Sequence, residues 1–329
     1  MLVTYRFADE RLDYSDLAPG RVFSGLPGHP AFPVRLADEI FQRCLALFRA
    51  RGGTLPLTLY DPCCGCAYLL SVVASLHGDT LERIVGSDAD PSVLPVASSN
   101  LSYVTSPGID PRIAKLEELY ALHGKASHAE ALVSAKRLRD ELASRGHDRP
   151  IAVDVFVADA TSADAPRAML GEESVDVVIV DVPYGRLSDW IQGTRRRDVP
   201  AGHAAKPQFL SSTEKRTLSS ARSDPIGGRN HDPLAVQHSP SDGSGRSDTD
   251  PIWHLLEALR PILRPHGVAA VVSDKRQRPF HQGYRRLEKF KLGKRQVVFL
   301  APLHSAAAGP ASMPFEQERA GVEGDADAE

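Results

Sequence analysis

The sequence has few cysteines and no long apolar run, and each shortage excludes a class of protein. Only four of the 329 residues are cysteine, and Cys63, Cys64 and Cys66 share one short segment. Cysteines this close together cannot cross-link distant segments by disulfide bonds, so a disulfide framework is excluded. No second Cys/His cluster with ligand spacing follows them, so we expect no metal site.

The lack of long apolar segments excludes membrane-spanning and secreted proteins. No apolar run approaches the roughly 20 residues of a membrane-spanning helix. The first ten residues lack the apolar segment of a signal peptide. We therefore expect a soluble cytoplasmic protein without a membrane partner, and we expect a monomer.

A strong net charge is also missing, because the formal net charge is -3. Any RNA contact must then come from a local basic patch. One candidate is the stretch from Lys275 to Arg295, where nine Lys and Arg residues are opposed only by Glu288. Its aromatic residues suit stacking beside a phosphate backbone, yet a solvated basic face would have the same composition. The sequence leaves both interpretations open.

Apolar segments of strand length alternate with helical patterns along the chain. A hydrophobic fraction of 42% over this length supports one domain with appendages. The five clearest strand patterns are residues 57–60, 83–87, 151–157, 175–181 and 268–273, and two further strands are expected near 286–290 and 296–300. This alternation predicts an α/β fold with a mainly parallel, doubly wound sheet and helices on both faces.

Two helix boundaries follow from local signals. Pro91 suits the first turn of the helix after the second strand, because proline lacks the amide hydrogen that this position leaves unused. Apolar spacing predicts a helix from Ile252 to Leu263 before the fifth strand.

The expected organisation has five parts. They are an N-terminal extension and helix (1–56), the first part of the α/β domain (57–192, with a helical insertion at about 111–146), a disordered insertion (193–250), the remainder of the domain (251–302) and a disordered tail (303–329). The insertion is expected to be disordered because it is rich in Ser, Pro, Gly, Arg and Asp. Its few large apolar residues cannot bury enough surface to offset the entropy lost on ordering.

Four acidic residues stand where predicted strands end: Asp61, Asp88, Asp159 and Asp181. In open parallel sheets, ligands bind beyond the carboxyl ends of the strands. A turn of small residues around Gly65 follows Asp61, so backbone amides near Cys63 and Cys64 can approach a ligand. These features predict one site, although a tight strand–helix turn would look similar.

Each of these acids has a binding role and a plainer alternative. Asp88 suits two ribose hydroxyls, because a carboxylate offers two acceptor oxygens, and Asp90 stands beside it. Helix capping is the alternative, for which Asp90 is the better placed. Asp159 suits an adenine amino group, or else caps the turn through Thr161.

The segment Asp181-Val182-Pro183-Tyr184 supplies the chemistry. Asp181 and a backbone carbonyl at Pro183 can accept the hydrogens of a planar nitrogen, while Tyr184 stacks on the base. Together with the glycine turn, this pattern predicts an S-adenosylmethionine-dependent methyltransferase. The alternative is a type I turn with a surface tyrosine.

The residues resemble the avilamycin-resistance methyltransferase family, whose members modify a guanine in large-subunit ribosomal RNA. The resemblance covers Tyr5 to about Leu300 apart from the insertion. The segments that carry it are Ser15–Ala18, Pro27–Arg43, Asp61–Gly65, Ser87–Pro91, Gly124–Ser127, Asp176–Val178 and Pro183–Gly185. The block from Gly28 to Arg43 is unusual outside that family, so the match is specific.

The resemblance implies a Rossmann-like class I methyltransferase fold, S-adenosyl-L-methionine as methyl donor and ribosomal RNA as substrate. It also implies that Phe32, Pro33 and Arg35 line the approach to the site. We assign Arg276 and Arg285 of the basic stretch to RNA binding. Ala67 stands where the family has glycine, at the point where the backbone approaches the ligand most closely.

Other functions remain open at this stage. The same chemistry could serve another RNA, DNA or a protein glutamine, and a catalytically silent RNA-binding protein could retain the fold. The sequence does not distinguish a resistance role from housekeeping.

Overall fold

The protein is described by a computed structural model, which covers residues 5–144, 151–183 and 250–303. The described strands form one seven-stranded sheet in the order β3-β2-β1-β4-β5-β7-β6. The strands are β1 (Leu57–Asp61), β2 (Leu81–Asp88), β3 (Ala152–Val157), β4 (Val175–Asp181), β5 (Leu263–Asp274), β6 (Tyr284–Leu292) and β7 (Arg295–Pro302). Strands β1 to β5 pair in parallel, and β7 is antiparallel to both β5 and β6. The predicted mainly parallel sheet is confirmed.

Helices pack on both faces of this sheet, as the fold class requires. They are α1 (Val34–Ala50), α2 (Tyr68–His77), α3 (Leu94–Ser102), α4 (Asp110–His123), α5 (Ala126–Ser144), α6 (Asp164–Leu170) and α7 (Pro251–Leu259). Successive strand residues point to opposite faces, so Leu59 joins the core under α1 to α5 and Tyr60 joins the core under α6 and α7. We call these the first core and the second core.

Two predicted helix boundaries are wrong, and each has a local cause. After β2, the Asp90 carboxylate accepts a hydrogen bond from the Ser92 amide at 2.8 Å. This bond fixes a turn, so the helix begins at Leu94 rather than at Pro91. Helix α7 ends at Leu259 because Pro261 has no amide hydrogen with which to continue the helical hydrogen bonds. Strand β5 therefore begins at Leu263, where the helix was expected to end.

The expected helical insertion before β3 consists of two helices, α4 and α5. Gly124 separates them with a φ of 61°, a left-handed conformation that glycine adopts at low cost. Buried apolar residues of both helices, such as Leu116 and Leu138, extend the first core.

The N-terminal segment is tied to α1 by one buried carboxylate. Glu39 accepts hydrogen bonds from the backbone amides of Arg6 at 2.7 Å and of Phe7 and Ala8 at 2.8 Å. Later residues of the segment, between Pro19 and Phe32, lie beside the carboxyl ends of the strands. No helix of the described ranges is long and apolar enough to span a membrane. The segments predicted to be disordered, 193–250 and 303–329, lie outside the described residues except for Asp250 and Leu303. Asp250 caps α7 by accepting a hydrogen bond from the Ile252 amide at 3.0 Å.

Candidate active site

A cleft of about 780 Å³ lies at the carboxyl edge of the sheet. Its floor consists of residues that follow β1, β2, β3 and β4, and its rim consists of the N-terminal loop and one residue of β7. The lining includes all four strand-end acids, Asp61, Asp88, Asp159 and Asp181, together with Gly28–Phe32, Pro62–Cys66, Asp90, Val182, Pro183 and Arg295. The structure thus brings the predicted acids together around one space.

The turn after β1 is tight because two consecutive constraints act on it. Asp61 Oδ1 accepts a hydrogen bond from the Cys63 amide at 3.0 Å. The Cys64 amide then donates to the carbonyl of Ser87 at 2.9 Å, which pins the turn to the end of β2. Gly65 follows with a φ of 51°, in the left-handed region that favours glycine. The turn thus places Gly65, which has no side chain, in the lining of the cleft.

Asp88 holds this turn from the neighbouring strand. Its Oδ2 accepts a hydrogen bond from the Gly65 amide at 2.8 Å, and its Oδ1 accepts one from the Asp90 amide at 3.0 Å. Each carboxylate oxygen can accept more than one hydrogen bond, so the group can still bind a ligand hydroxyl. The bond from Ser92 to Asp90 lowers the pKa of the Asp90 carboxyl, which keeps that exposed acid charged.

Asp61 lies at the centre of the acid cluster. Burial raises the pKa of its carboxyl well above the ordinary value, and the nearby charges of Asp88 and Asp181 raise it further.

Burial and the Asp61 charge also raise the pKa of the Cys63 and Cys64 thiols. Neutral thiols are poor nucleophiles and poor metal ligands. In the part of the chain that the structure describes, no group of three or more His, Cys, Asp or Glu side chains could hold a metal ion.

Asp159 and Asp181 complete the floor of the cleft. Asp159 Oδ1 accepts hydrogen bonds from the amide and hydroxyl of Thr161, at 2.8 and 2.7 Å, so it caps a turn ahead of α6. Asp181 is the last residue of β4, and the Val182 amide donates to the carbonyl of Val272 at 3.0 Å. This bond extends the sheet pairing by one residue and fixes Pro183 at the cleft wall. Tyr184 lies outside the described residues.

The N-terminal loop contributes two residues to the cleft lining, one that the sequence predicted and one that it did not. Phe32 is buried and lines the cleft as expected, with the Arg295 guanidinium 5.7 Å from its ring centre. His29 also lines the cleft, and its Nδ1 lies 3.5 Å from where a Cβ on Gly65 would stand. The block from Gly28 to Arg43 indicated only the family, and Arg295 was noted only as part of the basic stretch. Neither His29 nor Arg295 was therefore predicted to line the cleft.

Four residues that were assigned to substrate binding are not part of the cleft lining. Pro33 and Arg35 are not part of its lining, and Arg35 instead donates to the carbonyls of Ala8 at 2.8 Å and Asp9 at 2.7 Å. We therefore assign Arg35 to anchoring the N-terminal segment. Arg276 is exposed just beyond β5 and forms an ion pair with Asp274 at 3.4 Å.

Arg285 lies at the opposite end of the sheet from the cleft. It pairs with Ala301 near the start of β6, whereas the cleft residue Arg295 pairs with Leu292 at the end of that strand. Seven residues of extended strand separate Arg285 from Leu292, a distance of roughly 24 Å.

The cleft suits a nucleotide-like cofactor in size and in chemistry. Its volume falls within the range of roughly 300–1,000 Å³ found for small-molecule sites. The bare turn at Gly65 admits close backbone approach, and the carboxylates of Asp88 and Asp159 offer acceptors for hydroxyl and amino groups. Ala67 does not obstruct this space, because its side chain is fully buried in the first core and is not part of the cleft lining.

Sequence comparison agrees with this geometry. A sequence model of the family described as rRNA methyltransferase AviRa matches residues 3–203 and 242–295. A 23S rRNA (guanine(2535)-N(1))-methyltransferase of Streptomyces viridochromogenes is 34% identical over 306 residues, which cover 93% of this chain and 99% of that relative. The family resemblance drawn from the sequence motifs is confirmed.

Solved structures give the same relationship. The rRNA methyltransferase aviRa from S. viridochromogenes at 1.5 Å is 32% identical, with a TM-score of 0.67. The similarity covers 92% of this chain and 97% of that one. A second structure of the same protein at 2.4 Å gives a TM-score of 0.66.

Proposed function

The chain belongs to the rRNA methyltransferase AviRa family, and we propose on that premise that it transfers a methyl group from S-adenosyl-L-methionine to a guanine base nitrogen of large-subunit ribosomal RNA. The observation that carries this proposal is the convergence of Asp61, Asp88, Asp159 and Asp181 with the Gly65 turn around one cleft. The relative that is named for guanine N1 supports N1 as the atom methylated.

The cofactor would lie across the ends of β1, β2 and β3. The methionine part of the cofactor would lie against the Cys63–Gly65 turn, where Gly65 has no side chain. Asp88 would accept from the ribose hydroxyls, and Asp159 would accept from the adenine amino group. Asp61 would hold the turn by accepting the hydrogen bond from the Cys63 amide. When bound, S-adenosylmethionine supplies an electrophilic methyl group.

The substrate base would lie against the end of β4. Guanine N1 carries a hydrogen, so its lone pair becomes available for attack only as that proton is accepted. Asp181 would accept the hydrogen bond from N1–H and polarise it, since it lines the cleft at the strand end. The carbonyl of Pro183 would accept a second hydrogen, and Tyr184 would stack on a base that has left its helix.

The N-terminal loop would close the other side of the cleft. Phe32 offers a buried apolar wall and Arg295 a cation beside it. This enclosure would exclude water from the reacting atoms, which strengthens the hydrogen bonds made there.

The test is transfer of tritium from S-adenosyl-[methyl-³H]methionine to unmodified large-subunit rRNA, followed by mapping of the labelled nucleotide. We expect one labelled guanine, with the methyl group on N1. Label on a different nucleic acid or on protein would redirect the substrate assignment. Binding of the cofactor in calorimetry without any transfer would favour a silent RNA-binding protein.

A further inference from the structure

The basic stretch between β5 and β7 does not form one surface, because β6 sorts its side chains onto two faces. Phe290 and Leu292 pack against the first core, and Glu288 on the same face pairs with Arg43 of α1. Lys289 pairs across the strands with Val298, and Arg286 with Leu300, both of which belong to the second core. Paired residues share a face, so Lys289 and Arg286 lie on the side away from α1.

Four cations gather on that side of the edge strand. They are Arg278, Arg286, Lys289 and Lys291, which we call the β6 basic face. Arg286, Lys291 and Arg278 lie close enough to lower the pKa of the Lys289 ammonium, an effect to which partial burial contributes most. All four side chains are exposed. Within the described residues, no carboxylate forms an ion pair with any of them.

The β6 basic face leads toward the cleft. Strand β6 ends at Leu292, and a two-residue turn joins it to Arg295, which lines the cleft. From Arg286 to Lys291 the strand rises roughly 17 Å. Phe280, on the loop that also carries Arg278, is 49% exposed and offers a ring for stacking. A row of unpaired cations with a nearby exposed aromatic ring fits a nucleic-acid backbone.

We propose that the β6 basic face binds the phosphate backbone of the RNA and delivers the target nucleotide to the cleft past Arg295. This inference rests on the proposed function, because it takes ribosomal RNA as the partner. The occupant is a polyanion, since the face is cationic while the whole chain carries a formal net charge of -3. Phosphate contacts set position and affinity and carry no sequence information.

The matched variants each remove four positive charges, from different parts of the surface. The test variant is Arg278→Gln/Arg286→Gln/Lys289→Gln/Lys291→Gln. The control is Lys115→Gln/Lys125→Gln/Lys136→Gln/Arg285→Gln, which takes three charges from α4, α5 and their connection and one from the other face of β6. Binding is measured with a large-subunit rRNA transcript and with an unrelated RNA of equal length, over a range of salt concentrations.

We expect the test variant to bind both RNAs at least tenfold more weakly than the parent. Its salt slope should fall by roughly one for each phosphate that it no longer neutralises. The control should stay close to the parent. Equal losses in both variants would show that only net charge matters, and an unchanged test variant would show that the RNA lies elsewhere. Either result overturns the inference.

Calorimetry with S-adenosylhomocysteine separates this inference from the proposed function. The test variant should bind that ligand as the parent does, because none of its four positions lines the cleft. A parent chain that binds no S-adenosyl ligand and transfers no methyl group would contradict the proposed function itself. Weaker binding of the transcript alone, with the unrelated RNA unaffected, would indicate base contacts and overturn the assignment to phosphates.

Discussion

The backbone amide of Gly65 donates a hydrogen bond to Asp88 Oδ2 at 2.8 Å, across 23 residues of sequence. The bond links the turn after β1 to the end of β2, so one carboxylate shapes the turn and faces the cleft. A single substitution at Asp88 therefore affects both the position of the turn and the acceptors available to a ligand.

Asp88→Asn tests the ribose contact. The amide keeps the size of the side chain but replaces one acceptor oxygen with a donor, so hydrogen bonds worth about 1.5–3 kcal/mol are removed. We expect the affinity for S-adenosylmethionine to fall at least about tenfold in calorimetry. Asp79→Asn removes the same charge from an exposed position outside the cleft and should leave the affinity unchanged. Unchanged affinity in Asp88→Asn would move the ribose contact elsewhere.

Asp61→Asn tests the acid cluster through the pH dependence of stability. Because burial and nearby acids raise the pKa of Asp61 in the folded chain, folding takes up a proton at this group. Its contribution to stability is therefore present below the unfolded pKa and is lost as the pH rises through the folded pKa. The variant removes the charge while its amide oxygen can still accept from the Cys63 amide.

We expect Asp61→Asn to unfold at a higher temperature than the parent at pH 8, with a smaller difference at pH 5. Each unit of raised pKa corresponds to about 1.4 kcal/mol. Calorimetric unfolding at both pH values measures the difference. A gain that is the same at pH 5 and pH 8 would mean that the charge of Asp61 is not its source.

Asp181→Asn separates chemistry from binding. Asp181 acts on the reacting nitrogen in our proposal, so its contribution arises mainly in the transition state. Turnover on rRNA should fall about 10²–10⁴-fold, the usual range for a general base. Cofactor affinity, measured on the same preparation, should change little. Methylation at the parent rate would refute the proposed role of this strand end.

Ala67→Gly tests whether the departure from the family turn affects the cofactor. Ala67 has a φ of 54°, where an L residue is strained by about 1–2 kcal/mol. Glycine relieves this strain but loses a buried methyl worth about 0.8 kcal/mol and gains unfolded-state entropy worth about 0.4–1 kcal/mol. These terms nearly cancel, so the free energy of unfolding should change little. Cofactor affinity should not change, and a tenfold increase would show that the methyl group obstructs the site.

Residues 204–241 separate the two matched parts of the family. Their composition predicts no contribution to a core. Replacing them with a short Gly/Ser linker should leave the thermal transition within a few degrees of the parent, and tritium transfer to rRNA should be retained. A loss of stability by itself would contradict the prediction that this segment does not pack.

The sequence was sufficient for features that depend on local pattern. Alternating apolar segments located the strands, and their acidic ends located the cleft floor, because parallel strands end at one edge. The helix predicted over 252–263 is too long because the apolar spacing continues past Pro261, which ends the helical hydrogen bonds. The distance of Arg285 from the cleft depends on which end of β6 lies near the cleft. That direction follows from the antiparallel pairing of β6 with β7, which the sequence pattern does not reveal. His29 reaches Gly65 through a long-range fold of the N-terminal loop, which no spacing reveals.

The acid cluster around Asp61 has a consequence for the order in which ligands exchange. S-adenosylmethionine carries a sulfonium charge, and S-adenosylhomocysteine, the spent product, has a neutral thioether in its place. The charges of Asp88 and Asp181 raise the pKa of the buried Asp61 carboxyl, and a nearby sulfonium charge would offset that repulsion. The cluster would therefore hold the charged donor more strongly than the neutral product. In the proposed function, methyl transfer therefore weakens the electrostatic attraction between the cleft and the bound cofactor. This weakening favours exchange of S-adenosylhomocysteine for S-adenosylmethionine.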